Sequence, residues 1–168
     1  MYRQNRIVKS PLYKKRKETE VRMFVHLKTK TIYSLLEGAI FAKALADRCC
    51  ELKMPAVGIA DRANLFGALE FSEVLSDNGI QPIIGCQLPI SLKEANLKKL
   101  RASDQISMLF IAKNQVGYRN LMELSSKFFL NDTYRFEGMR ISEIGKSSDG
   151  LICLSGGDES PILSLIHI

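Results

Sequence analysis

The feature that most constrains this chain is a series of short, nearly continuous apolar runs separated by stretches of helical periodicity. The runs "AVGIAD" (56–61), "IQPIIGCQLPI" (80–90) and "ISMLFIAK" (106–113) have the length and composition of buried strands. A further short strand is predicted in "GLICLSGG" (150–157), and "MFVHLKT" (23–29) also has strand composition. Strands that are apolar throughout are typical of parallel sheets covered by helices, so the sequence predicts an α/β fold with parallel pairing.

Between these runs, apolar residues recur at helical spacing. A first helix is predicted over 39–53, and Pro55 is expected to end it. A second is expected between Asn64, a good N-cap residue, and Gly79, a good C′ residue. A third is predicted over 116–130. For the first helix, the expected buried stripe is Phe41, Leu45, Cys49 and Leu52. For the third helix, it is Leu121, Leu124 and Phe128.

The net charge of +6 lies entirely at the amino terminus. Residues 1–22 hold eight Lys or Arg and two Glu, whereas the remaining 146 residues hold 16 basic and 16 acidic side chains. This basic leader is predicted to be disordered. Two interpretations stay open: a segment that contacts phosphates electrostatically, and a solubilising tail or upstream sequence with Met23 as the natural start. The neutral body does not indicate a DNA-binding face.

The 168 residues suit one ordinary domain or part of a larger one. We expect the domain to span 23–162, with a polar connection at 91–105. The ending "LSLIHI" (163–168) back-translates to a common sequencing-library transposon end, so it is expected to be a non-native tail. A divergent true continuation is the alternative.

Composition also excludes several classes of protein. No apolar run approaches the roughly 18 residues of a transmembrane helix, and no apolar segment of a secretory signal follows the basic leader. The four cysteines form neither a CxxC pair nor a zinc spacing, so we expect buried, reduced thiols in a cytoplasmic protein without a membrane partner. They are Cys49, Cys50, Cys86 and Cys153.

Sites in α/β folds gather at the carboxyl ends of strands, where this chain offers little metal chemistry. A hydrolytic metal site needs neutral His and ionised carboxylates, and only Asp61 qualifies at these ends. The two histidines, His26 and His167, complete no Ser-His-Asp or Cys-His set. The strand-end residues are Lys28, Lys30, Thr31, Asp61, Arg62, Cys86 and Gln87, with Ser107 just before a strand.

Five stretches, in order, closely resemble one family. They are "FVHLKTKTIYSLLEG", "MPAVGIADRANLFGALEF", "GIQPIIGCQLPI", "LFIAKNQVGYRNLMELSS" and "GLICLSGG". Together they resemble the N-terminal PHP (polymerase and histidinol phosphatase) domain of the bacterial DNA polymerase III alpha subunit, from about Met23 to Gly157. The resemblance implies the first part of a distorted, TIM-like (β/α)7 barrel.

The resemblance also implies a degenerate metal site. Family members with an intact site carry His-x-His where this chain has Lys28 and Lys30, and Asp-His where it has Asp61 and Arg62. In those members an acidic residue stands at the position that Gln87 occupies in this chain. In some members a histidine stands at Ser107. Ammonium groups would repel a cation, so no intact metal site is expected. Two interpretations of the lysines stay open: they pair with Asp61 in the former metal volume, or they point to solvent.

By resemblance, the chain is a piece of a replicative DNA-directed DNA polymerase. The whole protein would extend primers with dNTPs on a DNA template, using Mg²⁺ at acidic residues beyond this chain. This piece is expected to have no catalytic residue and no cofactor of its own. Its expected partners are the rest of the alpha subunit, the proofreading exonuclease subunit and other replisome subunits. The alternatives are a free-standing metal-dependent phosphoesterase, such as a histidinol phosphatase, and a regulatory PHP-derived binding protein.

Overall fold

The computed structural model describes residues 24–91 and 106–155, which form a mixed sheet with helices packed on it. The predicted leader and tail and all of the polar connection except Ser91 lie outside these residues. The elements in chain order are α1 (Ala42–Glu51), β1 (Ala56–Arg62), α2 (Ala68–Asp77), β2 (Gln81–Ser91), β3 (Ile106–Ala112), α3 (Gln115–Leu130), α4 (Asp132–Glu137), β4 (Met139–Arg140), α5 (Ile141–Lys146) and β5 (Leu151–Leu154).

The sheet has the order β1-β2-β3-β5, and β4 pairs with the end of β2. β1 and β2 are parallel, as predicted, and so are β2 and β4. β3 runs antiparallel to both β2 and β5, so the prediction of parallel pairing was wrong there. The apolar run of β3 reflects burial on both faces: Phe110 packs in the cluster with α3, and Leu109 lies in the cluster on the opposite face. Burial on both faces does not specify strand direction.

The helix α3 matches its prediction most closely. Its predicted stripe of Leu121, Leu124 and Phe128 is buried against Cys86 and Phe110 of the sheet. The side chain of Asn114 caps the helix by accepting a hydrogen bond from the Gly117 amide at 3.0 Å. α3 therefore covers β2 and β3 with an ordinary amphipathic face.

The helix α1 packs partly through other residues than those predicted. Leu45 and Cys49 are buried, but Phe41 is 61% exposed and Leu52 is 52% exposed. The small residues Ala42 and Ala46 occupy the contact with β1 and α2 instead, so that α1 lies close to its neighbours. The helix ends at Glu51, ahead of Pro55.

The helix α2 begins at Ala68 rather than at the predicted cap, Asn64. The Asn64 amide nitrogen donates to the carbonyls of Tyr33 at 3.1 Å and Arg62 at 2.9 Å, and its oxygen accepts from the Phe66 amide at 3.2 Å. Asn64 therefore anchors the loop after β1, and this use of its side chain replaces helix capping. At the other end Gly79 has φ +71°, the left-handed conformation expected of a C′ glycine.

In the predicted strand at 23–29, the described residues 24–29 form one isolated bridge to the sheet. Thr29 pairs with Ile59 in the parallel sense, and the amide of Gly58 donates to the His26 carbonyl at 2.6 Å. A Cβ on Gly58 would lie 2.9 Å from the backbone of Leu27, so this close approach requires glycine. We call residues 26–31 the edge segment, because it runs along the outer edge of β1.

The cysteines are all free, but only two have the predicted burial. Cys49 and Cys86 are buried, whereas Cys50 and Cys153 are exposed, so the prediction of four buried thiols was wrong for the latter pair. Burial, and after it the charge of Asp61, raises the pKa of Cys86 to about 12. Among the described residues, no helix combines the length and apolar character that crossing a membrane requires.

Candidate functional site

Asp61, near the carboxyl end of β1, is a buried carboxylate whose hydrogen-bond partners all come from one turn. Its Oδ1 atom accepts from the Thr31 amide at 2.7 Å and from the Ser34 hydroxyl at 2.6 Å. Its Oδ2 atom accepts from the Thr31 hydroxyl at 2.6 Å. The residue is only 2% exposed, so these three bonds replace the hydration that a free carboxylate would have.

The turn that surrounds Asp61 follows the edge segment directly. The Ser34 amide donates to the Thr31 carbonyl at 2.9 Å, and the Ser34 hydroxyl also accepts from the Arg62 amide at 3.1 Å. Ser34 thus joins the turn to β1 through both Asp61 and the Arg62 backbone. The sequence analysis singled out Thr31 but missed Ser34. The run "TIYS", with hydroxyls three residues apart, was the available signal.

Glu37 forms ion pairs with two of the cations that the sequence analysis placed at ligand positions. Its Oε2 atom lies 2.5 Å from Lys30 Nζ, and its Oε1 atom lies 2.7 Å from Arg62 Nη1. The hydrogen bond from Lys30, together with that from Arg62, lowers the pKa of Glu37 despite partial burial, which opposes the shift. We call this arrangement the Lys30–Glu37–Arg62 bridge. Sequence reasoning missed Glu37, because nothing in the pattern brings it beside Arg62.

The bridge gives Lys30 a partner that neither interpretation of the lysines had named. Lys30 pairs with Glu37 and not with Asp61, whose partners are Thr31 and Ser34. Lys28, in contrast, has no hydrogen-bond or ion-pair partner in residues 24–91 and 106–155. The two lysines therefore differ: Lys30 is neutralised by Glu37, whereas Lys28 has no such partner among the described residues.

Gln87 lies inside β2, level with the end of β1, and Ser107 is the second residue of the next strand, β3. Gln87 is the Cα partner of Arg62, and the Ala63 amide donates to its carbonyl at 2.9 Å. Its side chain is 3% exposed, and the Oε1 atom has no hydrogen-bond partner in the described part of the chain. Ser107 lies within β3, not before it, and faces Pro89. Because β3 is antiparallel, its beginning lies beside the end of β2.

The side chains of the predicted site do not fit a hydrolytic metal ion. Lysine and arginine are hydrogen-bond donors that offer no lone pair while charged, and Asp61 already accepts three hydrogen bonds. Within the described ranges, no three His, Cys, Asp or Glu side chains converge as ligands. His26 packs edge-to-face against Phe24, with ring centroids 4.6 Å apart. His167 lies outside the described residues.

A pocket of about 600 Å³ lies between the edge segment and α1. We call it the basic pocket. Its charged lining residues are Lys28, Lys30, Arg48 and Glu37. Asp61, Arg62, Gln87 and Ser107 are not among its lining residues, so it shares only the two lysines with the predicted site.

Comparison with known proteins gives consistent matches. The family model of the PHP domain matches residues 26–167. The chain is 43% identical over 149 residues to the DNA polymerase III subunit alpha of Caulobacter vibrioides, covering 88% of this chain and 13% of the relative. It is 39% identical over 141 residues to that of Helicobacter pylori strain 26695, covering 82% of this chain and 12% of the relative. It is 37% identical over 134 residues to the subunit of Treponema pallidum, covering 79% of this chain and 12% of the relative. The chain thus spans only 12–13% of the length of these relatives.

Proposed function

Because this chain belongs to the PHP-domain family and is homologous to DNA polymerase III alpha subunits, we propose that it is one part of a replicative DNA polymerase. The whole protein would extend a primer with dNTPs on a DNA template, and it would use Mg²⁺ at acidic residues outside this chain. Within that protein, the 168 residues serve as a structural and interaction module rather than as a catalytic centre.

The observation that carries this role is the Lys30–Glu37–Arg62 bridge. By family resemblance, Lys30 and Arg62 occupy positions of metal ligands, and here a carboxylate of the same chain neutralises both. Asp61 is the one of these positions that still carries a residue able to bind a metal. Its carboxylate accepts hydrogen bonds from Thr31 and Ser34. These contacts join the turn to β1 without an ion. They support a site that has exchanged metal binding for internal ion pairs and hydrogen bonds.

The relatives also suggest the setting in which the module works. As alpha subunits of DNA polymerase III, they support a cytoplasmic replisome context for this chain. We propose the rest of the alpha subunit, the proofreading exonuclease subunit and other replisome subunits as its partners. The free-standing phosphoesterase has less support, because the described residues bring together no set of three metal-ligating side chains.

Primer extension by the longer polypeptide that carries this chain tests the proposed parent protein. We expect incorporation of dNTPs on a primed template with Mg²⁺ and none without it. A longer polypeptide that lacks template-directed incorporation, or a downstream reading frame without an acidic polymerase palm, would overturn the assignment.

Metal analysis of the 168-residue chain tests the role of the module. We expect no stoichiometric Zn²⁺ or Mn²⁺ by elemental analysis and calorimetry, and no hydrolysis of phosphomonoesters or phosphodiesters above background. Lys28→Ala serves as the control. Stoichiometric metal together with turnover that exceeds that of Lys28→Ala would reject the non-catalytic role.

A further inference from the structure

The turn that follows the edge segment presents two adjacent leucines to solvent. Leu35 is 84% exposed and Leu36 is fully exposed, so neither side chain takes part in the core of the described residues. Single exposed leucines are ordinary on protein surfaces, but two neighbouring ones at the tip of a turn form a small apolar protrusion. We call residues 34–38 the leucine turn.

The backbone of the leucine turn is in a conformation that leucine disfavours. Leu36 has φ +63°, in the left-handed region, where the Cβ atom of an L-residue lies too close to the backbone. Glycine would adopt this conformation without strain, so the turn carries the leucine side chain at a cost in stability. Backbone strain of this kind persists only where the surroundings fix the conformation, and it is concentrated at functional positions.

The surroundings fix the leucine turn on both sides of the two leucines. Before them, the Ser34 hydroxyl donates to the buried Asp61 carboxylate at 2.6 Å. After them, the amides of Glu37 and Gly38 donate to the Ser34 carbonyl at 3.0 and 2.9 Å. The Glu37 carboxylate also pairs with Arg62 at 2.7 Å. The leucines are therefore held in place before any partner binds, which lowers the entropy cost of binding.

The chain leaves β5 at the same end of the sheet as the leucine turn. β1 is parallel to β2, and β3 is antiparallel to both β2 and β5, so β5 runs in the same direction as β1. Leu154 of β5 is the partner of Leu109, and Leu109 is the partner of Gln87. Gln87 is in turn the partner of Arg62, which bonds to the leucine turn through Glu37. Three strand spacings, about 14 Å, therefore separate the end of β5 from the strand that holds the turn.

We propose that Leu35 and Leu36 dock into an apolar cleft formed by the polypeptide that follows residue 168 in the longer protein. The chain spans 12–13% of the length of its relatives, and by resemblance it is their N-terminal part, so most of that protein follows β5. The inference rests on the proposed function, and it identifies one surface through which the module contacts the rest of the alpha subunit. The contact is hydrophobic, so added salt should not weaken it.

Photo-cross-linking in the longer polypeptide tests the proposal. With p-benzoylphenylalanine in place of Leu36, we expect cross-links concentrated in one segment after residue 168 of the same polypeptide, mapped by mass spectrometry. The matched control carries the same photoprobe in place of Val116, which is 54% exposed. Val116 lies at the start of α3, where Gly117 approaches Gly150 just before β5, and so at the opposite end of the sheet. The control should give no cross-link to that segment.

Leu36→Gly separates docking from a role within the turn. In the 168-residue chain it should not lower the urea midpoint, because the side chain is exposed and glycine relieves the strain. In the longer polypeptide, hydrogen exchange of the amides of residues 34–38 should be about tenfold slower than in the 168-residue chain at a concentration where that chain is monomeric. Leu36→Gly should abolish this protection, whereas Val116→Ala should leave it unchanged.

Several results would overturn the proposal. They are cross-links from position 36 that match those from position 116, cross-links chiefly to a separate subunit, equal exchange rates in the two polypeptides, and a lower urea midpoint for Leu36→Gly in the 168-residue chain. Primer extension by the same preparation reports on the proposed function separately. Incorporation of dNTPs together with any of these results rejects the docking contact alone, whereas a missing activity rejects the proposed parent protein.

Discussion

The Asp61 carboxylate is held by three hydrogen bonds from Thr31 and Ser34, all between 2.6 and 2.7 Å. Replacing it with alanine removes the acceptor and leaves one amide and the O–H donors of two hydroxyls without an acceptor in a buried place. Each unsatisfied group costs about 1–3 kcal/mol, and partial relaxation reduces their sum. We expect Asp61→Ala to lower the free energy of unfolding by about 3 kcal/mol, measured by urea denaturation.

The control for this prediction is Asp47→Ala, which removes an exposed aspartate from α1. Its effect should stay within about 0.5 kcal/mol, because it breaks no buried contact. An equal change in the two variants would show that the Asp61 hydrogen bonds do not stabilise the turn.

The Lys30–Glu37–Arg62 bridge predicts a pH-dependent contribution to stability. The folded-state pKa of Glu37 is lowered, chiefly by the hydrogen bond from Lys30, so its stabilising effect is present above the unfolded pKa. That effect is lost as the pH falls through the lower, folded pKa. Glu37→Gln should therefore cost about 1 kcal/mol at pH 7, a modest value because the pair is partly exposed. The difference should shrink as the pH falls below about 4.5, the unperturbed value for Glu.

Urea denaturation of both proteins from pH 7 to pH 3 checks this expectation. Glu73→Gln is the matched control, since Glu73 is an exposed glutamate of α2. A Glu37→Gln penalty that is independent of pH would mean that the bridge contributes through packing and not through charge.

At the scale of single elements, local periodicity predicted the existence of the main helices and strands and the parallel pairing of β1 with β2, but not the direction of β3. The stripe of α3 is read directly from spacing, and its residues Leu121 and Leu124 are fully buried. The start of α2 was misplaced, because Asn64 bonds to Tyr33 and Arg62 instead of capping the helix. Such side-chain choices depend on contacts between distant segments, and sequence periodicity carries no information about them.

The same limit explains what could be predicted of the site. Asp61, Arg62 and Gln87 were placed at strand ends by composition and by resemblance, and the register makes Arg62 and Gln87 neighbours. Glu37 was missed, since its two partners come from the edge segment and from β1. The antiparallel direction of β3 was missed because apolar runs report burial and not direction.

Leu124 provides the test of packing in α3. It is 0% exposed and lies in the cluster that contains Leu88 and Phe110. Leu124→Ala leaves a cavity in that cluster, and we expect a loss of about 3 kcal/mol in unfolding free energy by urea denaturation. Met122→Ala, on the same helix at 41% exposure, should cost less than about 1 kcal/mol. Similar losses for both variants would contradict the packing of α3 described above.

At the scale of the whole molecule, the described residues leave both apolar surface and a sheet edge uncovered. Phe66 and Phe129 stack with ring centroids 6.5 Å apart, yet they are 70% and 45% exposed. β5 pairs with β3 and with no other strand in the described part of the chain. Large exposed apolar patches and unpaired strand edges both favour association between chains.

We therefore predict that the 168-residue chain by itself is folded but associates in a concentration-dependent way. Ile152 lies on β5 and is 45% exposed, so Ile152→Lys places a charge on the open edge and should shift the chain towards monomer. Val116→Lys adds the same charge on α3, at a residue that is 54% exposed, and should have less effect. Sizing chromatography across a concentration series measures association, and near-ultraviolet circular dichroism during urea unfolding reports ordered packing. A chain that stays monomeric across the whole concentration series would mean that the exposed surface and the β5 edge are compatible with an independent domain, and the prediction would be wrong.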